Sequence, residues 1–165
     1  MTSVVRSSIA AAVLIASIVS PAAAQAPIDV YELADYRLTT EVFARFVQAS
    51  RRVGDITRED SAFTFAPLFT KDLLLSGDAV AGVNGLMARL QNHAALAAAL
   101  EAAKITPREY AKFSLTVVVA HLAHGFLKSG VLTQVAPGAA TANVEFVKTH
   151  EADVNATLEA LGIHD

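Results

Sequence analysis

Apolar residues recur at three- and four-residue steps along most of the chain, and this spacing predicts helices rather than strands. The first long helix runs over residues 35–53. Leu38, Val42, Phe46, Ala49 and Val53 share one side of it, with Phe43 and Val47 beside them. Gly54 is placed to stop it. Arg45, Arg51 and Arg52 lie off the apolar stripe and read as a solvated face. Residues 55–64 lose the period, carry Arg58, Glu59 and Asp60, and read as a surface connection. Pro67 suits the first turn of a short helix reaching Leu75. Phe63, Phe65 and Phe69 cluster there and suit a plug at the end of a bundle.

Asp78 is predicted to cap a helix to about Leu90, and Asn92 to cap another through Ala103. Gly82 and Gly85 weaken the first by about 1 kcal/mol each unless they serve close backbone contact. The best local signal is Thr106-Pro107-Arg108-Glu109, a threonine cap, a proline at the first helical position and a glutamate at the third. Together they spell a capping box. The helix it opens continues to about Lys128, with Gly130 just beyond. Its centre is apolar on most sides, which makes it the expected central element. Tyr110, Ser114, Val117, His121 and Lys128 form its more polar stripe, expected on the wettest side. Residues 132–138 form a connection ending in Pro137-Gly138, a turn signal. A last helix is expected from Thr141 to Leu161, closed by Gly162.

The fold class that follows is all-α: a single-domain bundle of about four longer helices plus one or two short ones. The first 24 residues stand apart. Arg6, an apolar run over residues 9–19, and Ala22-Ala23-Ala24 after Ser20-Pro21 read as a secretory signal peptide cut after Ala24. The run is too short to span a bilayer, which takes about 20 residues. The expected organisation is therefore a signal peptide over 1–24, an N-terminal extension over 25–34 and a helical bundle over 35–165, delivered to the periplasm or secreted.

Composition narrows the function. The full chain has 13 basic and 16 acidic residues, a net charge of −3, and no cysteine. Without a basic excess there is no case for nucleic acid as a partner. Without cysteine there is no disulfide, thiolate metal site or cysteine nucleophile. Part of the 53% hydrophobic content belongs to the first 24 residues, and much of the rest is alanine on helices.

Candidate chemistry centres on His121 and His124. Three residues apart on a helix, they can turn two imidazoles toward one metal ion. A third ligand would have to come from His93, His150, Glu101 or Glu151. The competing reading packs one histidine in the core and leaves the other at the rim. Di-iron chemistry fails because no histidine has an acidic residue three positions before it. Met87 is the one methionine outside the leader and suits core packing better than haem ligation. No nucleophile elbow, Walker loop or dinucleotide fingerprint is present. Ser114 lacks the turn that exposes a nucleophile, Glu59-Asp60 reads as a solvated pair, and the sequon at Asn155 falls inside a helix. No catalytic residue and no cofactor is assigned.

Leu38-Thr39-Thr40-Glu41 and Ile56-Thr57-Arg58-Glu59 resemble the Leu-Thr-x-x-Gln motifs of small periplasmic helical stress chaperones, although both end in Glu. Residues 105–161, through Thr106-Pro107-Arg108-Glu109-Tyr110 and Asn143-Val144-Glu145-Phe146-Val147, resemble uncharacterised short exported all-helical bacterial proteins. That resemblance implies a helical fold and an exported address, with no established activity. The expectation is a binding or interaction module for a partner protein or a small apolar ligand. The alternatives are a metal-binding or redox bundle using His121 and His124, and an enzyme whose site is assembled from residues distant in sequence.

Overall fold

The computed structural model describes residues 27–59 and 79–163. The expected signal peptide, the Pro67 helix, the Phe63, Phe65 and Phe69 cluster and the Asp78 cap lie outside them. The described residues form seven helices and no strand: α1 (Val30–Ala34), α2 (Thr40–Glu59), α3 (Ala79–Asn92), α4 (Ala94–Ala102), α5 (Pro107–Lys128), α6 (Ala139–Thr149) and α7 (Glu151–Ala160). None is long and apolar enough to cross a membrane.

The all-helical expectation holds, and α5 is central: α2, α3, α4, α6 and α7 all pack on it. Thr106 caps it as predicted, its Oγ1 accepting the Glu109 N–H at 3.1 Å. The reciprocal half of the box is diverted. Glu109 Oε1 accepts the Tyr36 hydroxyl at 2.5 Å, and Oε2 faces Lys112 Nζ at 3.5 Å. The core is aromatic where α2 meets α5. The Phe46 ring lies 4.7 Å from Phe113 and 5.0 Å from Tyr110, and Phe43 stacks at 6.0 Å from Phe113.

Several boundaries differ from expectation for identifiable reasons. The predicted first helix over 35–53 is shifted along the chain: residues 35–39 precede it as the link from α1, and α2 runs on through Gly54 to Glu59. Gly54 does not stop the helix. It is the point where α7 comes close, since a Cβ there would collide with the Ala160 carbonyl. Gly85 plays no such role, because a Cβ on it would meet nothing within 4 Å. The cap of α4 is His93 rather than Asn92, its Nδ1 accepting the Leu96 N–H at 3.4 Å. The last helix is two, broken at His150. The ring of His150 packs 4.5 Å from Phe146 and 5.3 Å from Phe43.

The predicted stop at Gly162 is met, with φ at +73° and Ile163 N–H reaching the Leu158 carbonyl at 3.0 Å. The same wrap ends α4 without a glycine: Lys104 takes φ +55° and Ile105 N–H reaches Leu100 O at 3.1 Å. The stretch expected as an N-terminal extension packs on the bundle: Ile28 is 1% exposed, and α1 follows it.

Candidate functional site

The polar stripe of α5 does not face water along its first half. Tyr110, Ser114 and Val117 are buried against the bundle. The Tyr110 hydroxyl lies 3.0 Å from Ser50 Oγ on α2, and Ser114 Oγ donates to the Tyr110 carbonyl at 2.8 Å. Burial pushes the Tyr110 phenol well above its ordinary range. Ser114 is therefore a satisfied core hydroxyl, closed to substrate.

The open side of α5 is apolar instead. Leu115, Thr116, Val119, Ala120 and Ala123 recur at helical spacing and line a recess of about 420 Å³. Ala140, Asn143 and Val144 from α6 form a second wall, and Leu33 and Ala34 of α1 form a third. Val80 near the start of α3 and Val135 from the α5–α6 connection complete it. Space exists because alanines stand at positions 34, 120, 123 and 140, where larger side chains would meet. Leu115, Ala120 and Val144 are buried, whereas Val119 is 48% exposed at the rim. The volume falls within the roughly 300–1,000 Å³ range of small-molecule sites.

Among the described residues, two polar ones line the recess. Asn143 is committed to backbone: its Oδ1 accepts the Leu38 N–H at 2.9 Å and its Nδ2 donates to the Tyr36 carbonyl at 2.9 Å. Thr116 adds one hydroxyl. No titratable side chain lines the recess among the described residues. Its walls can exclude water from an uncharged ligand.

His121 and His124 are not among the residues that line the recess. His121 is half-buried and His124 is buried. His124 Nε2 stands 3.7 Å from Glu151 Oε1, beyond hydrogen-bond reach. That oxygen accepts a hydrogen bond from Lys128 Nζ at 2.8 Å, which holds the Glu151 carboxyl below its ordinary range. Of the four residues named as third ligands, Glu151 comes to the pair, at His124. His93 caps α4 and His150 packs on phenylalanines, while Glu101 lies exposed at the end of α4. Among the described residues, no group of three or more His, Asp or Glu side chains is placed to hold a metal ion.

The remaining charged candidates are surface features. Arg51 and Arg52 are exposed, and Arg45 bonds the Lys104 carbonyl at 3.1 Å and pairs with Glu41 at 3.4 Å. Arg58 pairs with Asp55, leaving Glu59 exposed at the end of α2. Asn155 is exposed on α7, where Thr157 Oγ1 bonds the Asp153 carbonyl at 2.7 Å. The recess was not anticipated from sequence. Its one trace is the small-residue spacing of Thr116, Ala120 and Ala123 within an otherwise bulky helix. Compared with models of known protein families, with curated proteins and with solved structures, the chain gives no match.

Proposed function

We propose that the protein is an exported helical binding protein that takes a small, uncharged, apolar ligand in the recess between α1, α5 and α6. The observation that carries this reading is the walled apolar recess on one side of α5, lined by Leu115, Thr116, Val119, Ala120 and Ala123, while Tyr110 and Ser114 are turned into the bundle. An apolar hollow with few polar groups is the usual form of a small-molecule site. The absence of charge among the described lining residues selects against anions and metal ions, since a buried charge without a partner is strongly disfavoured. The recess is concave and walled by several elements, which suits a small molecule better than a flat protein partner.

Titration with N-phenyl-1-naphthylamine, an uncharged fluorophore, tests it. Wild type is expected to bind one equivalent with a blue-shifted emission. Val119→Asp places a carboxylate at the rim of the recess, at a half-exposed helix position where the fold tolerates it. This variant is expected to lose at least roughly tenfold in affinity, the cost of confronting an apolar ligand with a charge, while keeping its thermal midpoint within a few degrees. Equal binding by the two proteins would remove the recess from consideration.

The exported address rests on the leader over residues 1–24. Cleavage after Ala24 leaves Gln25 first, and intact mass of the protein isolated from its own compartment is expected to match a chain beginning there. A mass that retains the leader would refute the assigned cut.

A further inference from the structure

Residues 27–38 form a strap along one wall of the recess, which they line through Leu33 and Ala34. We propose that this strap is the movable wall of the binding pocket, held shut by three polar latches and displaced when a ligand enters or leaves. The inference rests on the pocket reading above and adds the route of access to it.

Each latch comes from a different helix around the recess. On α3, Asn84 Oδ1 accepts the Ile28 N–H at 2.8 Å while its Nδ2 donates to the Ile28 carbonyl at 2.9 Å. On α5, Arg108 grips Glu32 through both Nε, at 3.2 Å, and Nη2, and Lys112 Nζ adds a contact at 3.0 Å. On α6, Asn143 holds Tyr36 and Leu38 as described. Lys112 also lies 4.9 Å from the centre of the Tyr36 ring. Leu33 and Ala34, the two strap residues that line the recess, fall between the second latch and the third.

Besides these latches, the strap is held by the Tyr36 hydroxyl on Glu109 and by Leu33 and Tyr36, which pack half-buried on the core. Its helix is five residues long, too short to persist alone. Ile28 is its one deeply buried apolar anchor before Leu38, and Tyr31 points outward at 79% exposed. The opposite walls belong to α5 and α6, which carry the packed core. Local opening favours segments with few buried apolar contacts; among the described rim segments these are the strap and the 131–138 connection, and of the two the strap is the one tied down by latches from three helices. Side-chain latches to backbone and to a partly exposed carboxylate can break and reform without disturbing the aromatic core. A ligand that touches Leu33 and Ala34 binds the closed arrangement better than the open one, so its presence holds the strap down.

The test compares wild type, Asn84→Ala and Glu32→Gln by amide hydrogen exchange and by stopped-flow uptake of N-phenyl-1-naphthylamine. Amides of residues 28–38 are expected to exchange faster than those of α5 in wild type. Each variant should raise strap exchange and speed fluorophore uptake roughly tenfold, the scale of one charge-assisted or paired hydrogen bond. Exchange in α5 should stay unchanged. A variant whose α5 amides also accelerate has lost the fold, and the other variant then carries the test. Strap exchange as slow as that of α5 in every protein overturns the proposal. So does faster strap exchange with unaltered uptake rates, which leaves the pocket reading standing. No uptake by wild type overturns the pocket reading and the gate together.

Discussion

Phe46→Ala is expected to cost about 3–5 kcal/mol of folding stability. Phe46 is 1% exposed and touches two other large rings of the core, Tyr110 and Phe113. Those rings come from the central helix and are fixed in turn. Phe113 stacks on Phe43, whose far edge meets Phe146 at 5.5 Å, and Tyr110 is tied by its hydroxyl to Ser50. Neighbours so constrained cannot collapse into the space left by a missing ring, so the cavity term adds to the lost transfer energy. Against a total of about 5–15 kcal/mol for a typical domain, this change removes a third or more of the margin. Urea unfolding followed by far-ultraviolet circular dichroism reads the difference. A loss below about 1 kcal/mol would mean that the bundle does not hinge on the contact between α2 and α5.

Gly54→Ala is the second large effect, and its sign runs against helix propensity. In an isolated helix the substitution would stabilise by about 1 kcal/mol. Here the new methyl would lie inside the van der Waals surface of the Ala160 carbonyl. Both groups are tied to helical backbone, so relief requires α2 and α7 to separate. Separation would disturb Val53, Leu158 and Leu161, all buried. Overpacking of this kind costs about 1–3 kcal/mol and at times more, which exceeds the propensity gain. Gly85→Ala is the control: with nothing within 4 Å of the added Cβ, it should stabilise by about 0.5–1 kcal/mol. Opposite shifts in the urea midpoint for these two changes are the expected result. A stabilising Gly54→Ala would show that α7 does not dock on α2 at this point.

Gly54 and Gly162 carry one local signal with two different causes. A glycine at the end of a periodic stretch signals a helix stop, and at Gly162 it is one. At Gly54 the identical signal has a different cause, because the group that requires a bare Cα belongs to residue 160. The capping box divides in the same way. Thr106 binds Glu109 N–H three residues along, as local grammar dictates, yet the Glu109 side chain turns to Tyr36, 73 residues away. The polar stripe of α5 was placed outward by analogy with ordinary amphipathic helices. Ser50 on α2 and the Tyr110 backbone give its first polar groups partners inside.

What the sequence determined by itself was the helical class, the central rank of α5, the Thr106 start, the Gly162 stop and the turn before α6. These depend on side-chain period and on bonds within a few residues, which one stretch of chain contains in full. Only the tertiary structure decided which face of α5 is wet, why Gly54 must be glycine and where the recess lies. Asn143 ties Leu38 across 105 residues of chain, and Asn84 ties Ile28 across 56. A cavity walled by α1, α3, α5, α6 and a connecting segment has no signature in any one of them, because its shape is set by how closely they approach.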